Sequence, residues 1–300
     1  MEFLNNVFEQ RDTPISDSSK KLYTRNLMKL NNDMPITNFN FLKEPKHILN
    51  IIKDYKPTTQ RSYIIAICTV LKNSKNPNLY DMYFEILSNF NNQLKVRTDK
   101  SDSQKENWLS NDNINKISDD LKSKVVKKVR NKEDYNILLN YMVLLSYTLH
   151  APRRNIDYSL MKLSNNMSDD KFNYLDMDKK QFIFNNYKTQ GTYNSVVVNI
   201  EDELMQVISL YPKNHPEKSK LKNKTYNIHF LKTFYNEDII KSQDMTRILN
   251  KIFGKNIGSS MLRNLYLTNK YGDMVEEFKK DTTDMGTSVD IALNNYIKKD

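Results

Sequence analysis

The chain is poorly supplied for disulfide, metal-site or membrane chemistry. A single cysteine, Cys68, stands among 300 residues, and the four histidines are scattered at positions 47, 150, 215 and 229. That excludes an internal disulfide and leaves no spacing for zinc ligands, so metal chemistry is not expected. No run approaches the roughly 20 apolar residues that a membrane span requires. The start, Met1-Glu-Phe-Leu-Asn, lacks the basic and apolar regions of a secretory signal, which points to the cytosol or nucleus. Acidic charge is also in deficit: 46 lysines and arginines face 36 acids, a formal charge of +10. Such an excess gains affinity for a polyanion by releasing its condensed counterions.

At 38 % hydrophobic residues, the chain can build cores for two domains. Residues 1–95 read as helical. The stretch Asp17 to Leu30 opens on capping residues and sets Leu22, Tyr23, Leu27 and Leu30 on one face, with Lys20, Lys21, Arg25 and Lys29 on the other. Further helices are predicted around His47 to Ile52, from Thr58 or Thr59 to Leu71, and from Tyr80 to Leu94. Residues 96–106 mix charge with serine and hold almost nothing apolar, so they read as a linker. Residues 107–300 form the second domain. There Trp108 is expected in the core, Ser110 caps a helix, and Tyr135 to Leu149 is apolar nearly all round, as a central buried helix should be.

Pro152 ends that helix and delivers Arg153 and Arg154 beside the core, where unpartnered cations are costly. Asp157 follows Arg154 by three residues and can satisfy one arginine; a structural Arg154–Asp157 ion pair is the plain reading. Phe182-Ile-Phe184 and Val196-Val-Val198 flank a turn containing Gln190-Gly191, which predicts a β-hairpin with Lys188 just before its tip. Helices near Asp202 to Leu210 and Ser242 to Phe253 enclose a lysine-rich loop about Lys213 to Lys224, a candidate contact for nucleic-acid backbone. Leu262, Leu265 and Tyr266 recur at helical spacing beside Arg263. Met285-Gly-Thr-Ser then turns into a last helix, capped by Thr287 or Ser288, that carries Tyr296.

Taken together, these segments resemble the tyrosine recombinase, or phage-integrase, family. Its members end in a His-x-x-Arg helix, a Leu-Gly-His turn and, nine residues on, a nucleophilic tyrosine. Here Ser260 to Arg263, Thr287 and Tyr296 fill those positions. Arg154 with Asp157 matches the family's earlier arginine and its orienting carboxylate, and Lys188-Thr189 matches the hairpin lysine. The N-terminal helices, opening at Ser18 to Leu30, are similar to the core-binding DNA clamp. The resemblance implies a mainly α fold with a small antiparallel sheet, made of a core-binding domain and a catalytic domain. It implies cleavage and rejoining of double-stranded DNA through a 3′-phosphotyrosyl link, without cofactor, membrane or small-molecule substrate, by protomers that associate as dimers or tetramers on DNA. Tyr296 would be the nucleophile, Arg154 and Arg263 would stabilise the phosphorane charge, and Lys188 would protonate the departing 5′ oxygen. A viral or mobile-element source is in keeping with the wording of the motifs.

Ser260 and Thr287 stand where the family carries histidines. A hydroxyl can position a phosphate oxygen but does not exchange protons near neutral pH as imidazole does. Either Lys188 carries the proton traffic while both hydroxyls position, or activity is reduced; His150 and His229 could substitute in space, but the plain reading of each is structural. Two alternatives remain: a type IB topoisomerase-like monomer, in keeping with the four residues that follow Tyr296, and a catalytically inactive DNA-binding relative.

Overall fold

Prolines and polar caps divide the first hundred residues into helices. The helices are α1 (Glu2–Glu9), α2 (Asp17–Leu30), α3 (Pro45–Ile52), α4 (Pro57–Leu71) and α5 (Pro77–Gln93). Pro45, Pro57 and Pro77 each occupy a first turn, where the missing N–H costs nothing. Ser16 and Asn76 accept backbone bonds from Ser19 and Leu79. The buried face of α2 is Asn26, Leu27 and Leu30. Leu22, expected on that face, is exposed. Asn26 earns its buried place by donating to the carbonyl and hydroxyl of Ser62 on α4. Leu27, Ile48, Ile52, Ile64, Ile67 and Tyr83 close this core, and the Tyr83 hydroxyl bonds the Leu42 carbonyl at 2.9 Å.

This computed structural model describes residues 2–72, 76–94 and 99–298. The chain divides into two units, Met1–Lys100 and Ser101–Asp300. Within the stretch read as a linker, residues 96–98 lie outside the described residues. Its second half is ordered: Ser101 and Gln104 form a reciprocal capping box at the start of α6 (Asp102–Asn107).

The second unit is built round α8 (Lys132–Thr148), eleven of whose residues are buried. Against it lie α7 (Asn111–Lys124), capped by Ser110, and the short α9 (Asn155–Ser159). Trp108 is only partly buried, at the edge of this core. Five short strands follow: β1 (Met161–Ser164), β2 (Asn173–Asp176), β3 (Gln181–Phe184), β4 (Val196–Asn199) and β5 (Asn227–His229). Between β3 and β4 lies α10 (Gln190–Tyr193), and between β4 and β5 lies α11 (Asp202–Asn214). The chain closes with α12 (Ser242–Phe253), α13 (Ser259–Asp284), α14 (Val289–Ile291) and a π-helical turn over Ala292–Tyr296.

The architecture is mainly α with one small sheet, in the order β4-β3-β2-β1-β5. The sheet is mixed rather than wholly antiparallel, because β1 and β2 run parallel while the other three pairings are antiparallel. Met161, Leu163, Leu175, Phe182 and Phe184 alternate onto the face that joins the α8 core. The predicted hairpin exists as β3 and β4, but its connection is wider than a tight turn, and Gln190 and Gly191 belong to α10.

Candidate active site

The register of the sheet gathers several elements at one end. Met161 pairs with Asn173, Phe184 pairs with Val196, and His229 pairs with Lys162. At this end α9 enters β1, β3 leaves toward Lys188, and β5 leaves toward α12.

The turn bearing the arginines is held by α8. The Tyr147 hydroxyl bonds the Asn155 side-chain oxygen at 2.7 Å, and the Tyr158 hydroxyl bonds the Ser146 carbonyl at 2.8 Å. Asn155 also donates to the Ser242 carbonyl and the Thr246 hydroxyl, at 3.1 and 2.9 Å, and so ties α9 to the first turn of α12.

Asp157 is 1 % exposed. Its Oδ2 accepts the Nε–H of Arg153 at 3.2 Å and the backbone N–H of Arg154 at 3.4 Å. Burial raises its carboxyl above the ordinary range, while the Arg153 charge pulls it down. The expected orienting contact with the Arg154 guanidinium is thus taken by Arg153. The reason is that Arg153 also lies over two rings, with its guanidinium carbon 4.1 Å from the Phe184 centroid and 4.5 Å from that of Tyr187. Arg154 is half-buried, and its guanidinium makes no hydrogen bond or ion pair among the described residues.

Lys188 is exposed in the β3–β4 connection, one residue beyond Tyr187. This connection is fastened from both sides. The Tyr187 hydroxyl bonds the Asn194 carbonyl at 2.7 Å, and Ser195 bonds the Asn185 side chain at 2.7 Å. Asn173, fully buried, joins it to α9: its side-chain nitrogen donates to the carbonyls of Asp157 and Asn186, at 2.8 and 3.0 Å, and its oxygen accepts the Asn186 N–H at 2.8 Å. Asn173 escaped sequence reasoning because a lone asparagine in a four-residue strand carries no periodic signal. Arg154, Asp157 and the connection bearing Lys188 are therefore neighbours through shared contacts.

Ser260 and Arg263 occupy the first two turns of α13. Ser260 is exposed, Arg263 is half-buried, and the Arg263 guanidinium has no hydrogen-bond or ion-pair partner among the described residues. Leu262 and Leu265 are buried in the α8 core, and they line a cavity of about 480 Å³ with Tyr147 and Leu149 from the end of α8. This sets the start of α13 beside the helix end that leads to Arg154.

Thr287 and Tyr296 are not brought to that place. Helix α13 runs on to Asp284 and ends in a Schellman motif, with Gly286 at φ 68°, the Thr287 N–H bonding the Thr282 carbonyl and the Gly286 N–H bonding that of Thr283. Ser288, not Thr287, caps α14, by accepting the Ile291 N–H at 3.2 Å. Leu293 and Ile297 flank Tyr296 and line a groove with Tyr271, Met274 and Phe278. At a rise of about 1.5 Å per residue, Tyr271 and Phe278 lie roughly 12 and 22 Å along the helix from Arg263. Tyr296 is 61 % exposed there.

The two histidines considered as substitutes are held by their own surroundings. His150 sits edge-on to Phe182 at the end of α8, and its Nε2 has no partner; burial lowers its pKa. His229 faces Lys162 across the strands at 2.9 Å, and burial followed by the Lys162 charge lowers its pKa. Among the described residues, no group of three His, Cys, Asp or Glu side chains is arranged to hold a metal ion, and no helix is long and apolar enough to cross a membrane.

No family model matches the chain, and no curated protein matches it in sequence. Among solved structures, the crystal structure of XerA recombinase is similar at a TM-score of 0.36 and 13 % identity, over 89 % of this chain and 83 % of that chain.

Proposed function

We propose that this protein binds double-stranded DNA and breaks and rejoins it through a covalent 3′-phosphotyrosyl intermediate at Tyr296, as a site-specific recombinase or integrase. The observation that carries the reading is the pair of half-buried arginines, Arg154 and Arg263, whose guanidinium groups make no hydrogen bond or ion pair among the described residues and which stand on elements that meet at the end of α8. Five N–H donors that no protein oxygen accepts are costly in a half-buried guanidinium unless an anion meets them, and a guanidinium fork matches the oxygens of a phosphodiester.

In the proposed reaction the Tyr296 phenol oxygen bonds to phosphorus and the bond from phosphorus to the 5′ oxygen breaks. Arg154 and Arg263 stabilise the charge on the non-bridging oxygens, and Lys188 gives its proton to the departing oxygen. Ser260 and Thr287 position the phosphate, and Asp157 holds the turn of Arg154. Residues 285–298 must leave the distal half of α13 for Tyr296 to reach that phosphate. The N-terminal unit serves as a DNA clamp, with Lys20, Lys21, Arg25 and Lys29 on the polar side of α2, and protomers associate on paired sites.

Covalent capture tests this. Diverse nicked duplexes are incubated with the full chain, denatured in detergent and resolved by mass; the expected band joins protein and DNA and vanishes in Tyr296→Phe. The remoteness of Tyr296 from Arg263 favours a second reading, a DNA-binding protein that does not cleave. It predicts retention of duplex DNA with no covalent band on any substrate.

A further inference from the structure

We propose that Arg153 is a positioning residue that sets Lys188 against the phosphate held by Arg154; this rests on the function proposed above. Three contacts converge on its side chain, which is 18 % exposed. It pairs with Asp157 at 3.2 Å, and Asp157 belongs to the same turn as Arg154. Its planar guanidinium also covers the rings of Phe184 and Tyr187, at 4.1 and 4.5 Å. Phe184 ends β3, and Tyr187 is the residue before Lys188. One side chain therefore clamps the two segments that carry the proposed phosphate donor and the proposed acid.

Its own charge is already taken up by the Asp157 carboxylate, so Arg153 does not serve as a third phosphate ligand. The other carboxylate oxygen, Oδ1, is buried without a partner, which leaves Arg153 as the only side-chain cation bonded to Asp157 among the described residues. Lysine cannot replace it: an ammonium can face Asp157 but has no plane to lay on two rings. A general acid works only within hydrogen-bond reach of the atom it protonates, so a loosened connection costs acid catalysis specifically.

The test is a comparison of two substrates and one DNA-free assay, in Arg153→Lys and in Arg153→Met, which keeps an unbranched stem against the rings. The duplexes captured by the wild-type chain are resynthesised with sulfur in place of the bridging 5′ oxygen. On ordinary DNA the proton passes from Lys188 Nζ to the departing oxygen, whereas the sulfur leaves as a thiolate and needs none. Expected is a loss of about 10-fold or more on ordinary DNA, a fraction of the 10²–10⁴ that a general acid supplies, with near wild-type cleavage of the sulfur substrate. Tryptic cutting after Lys188 should also rise several-fold in both variants. Equal losses on the two substrates, or unchanged cutting at Lys188, would overturn the proposal. If the wild-type chain forms no adduct with either substrate, the recombinase reading falls, while the tryptic assay still decides whether Arg153 holds the connection.

Discussion

Replacing Asn173 by alanine removes the only side chain that bonds the backbone of α9 to that of the β3–β4 connection among the described residues. Three backbone groups lose their partner: the buried carbonyl of Asp157, and the carbonyl and N–H of Asn186, which is an exposed residue. The orphaned buried carbonyl of Asp157 alone costs about 1–3 kcal/mol, and the Asn186 groups add less because water can reach them. For a unit of this size that corresponds to a fall of about 2–12 °C in melting temperature. The single tryptophan makes the measurement specific to the second unit, because Trp108 lies against that unit's core. Guanidinium unfolding followed by its fluorescence should show an earlier midpoint with an unchanged slope. Asn173→Asp, which keeps the acceptor and removes both donors, should be destabilised as well. A loss under about 1 kcal/mol in the alanine variant would refute the reasoning, since water or repacking would then be supplying these bonds.

Three further outcomes are expected. Arg263→Ala should lower covalent-adduct formation by about 10²–10³ while changing duplex affinity little, because a transition-state donor is worth far more to rate than one phosphate contact is to binding; equal losses in titration and cleavage would reduce Arg263 to a clamp residue. Burial lowers the pKa values of His150, His215 and His229, so the unfolded chain takes up protons first as pH falls through the ordinary histidine value of 6.5, and the second unit loses stability below it. His150→Gln should flatten that dependence by up to about 1.4 kcal/mol per pH unit, measured by denaturation between pH 7 and 5; an identical dependence would mean that His150 is not held neutral. Burial pushes the Cys68 thiol up to about 12, so alkylation at pH 8 should be slow in the native first unit and fast once it unfolds; rapid native labelling would place Cys68 outside the core.

Local rules account for what was legible in the amino-acid order. A helix declares itself through contacts three and four residues apart and through its caps, which is why α2, α4, α8 and α12 stand within a few residues of their predicted bounds. Phe182 to Phe184 and Val196 to Val198 were likewise readable as strands, because β-branched and aromatic residues cluster there. Strands β1, β2 and β5 were not, because Met-Lys-Leu-Ser, Asn-Tyr-Leu-Asp and Asn-Ile-His hold no such cluster. The run of α13 beyond Thr268 did have a signal: Tyr271, Met274 and Phe278 repeat at helical spacing.

The sequence by itself determined which groups are available for chemistry: two arginines after a buried helix, a hairpin lysine, a helix-borne arginine and a tyrosine after a glycine turn. Only the tertiary structure decided how they are disposed. Asp157 stands three residues from Arg154 and four from Arg153, within one helical turn of both, and its choice between them is settled by Phe184 and Tyr187, some thirty residues away. The parallel pairing of β1 with β2 and the bridge made by Asn173 depend on register, which no local periodicity specifies. Tyr296 lies along the distal half of α13, where Ala292 and Thr282 are buried while Leu293 and Ile297 stay half exposed beside Met274 and Phe278. Such burial is a sum over contacts between distant segments, so it exists only once the chain has folded.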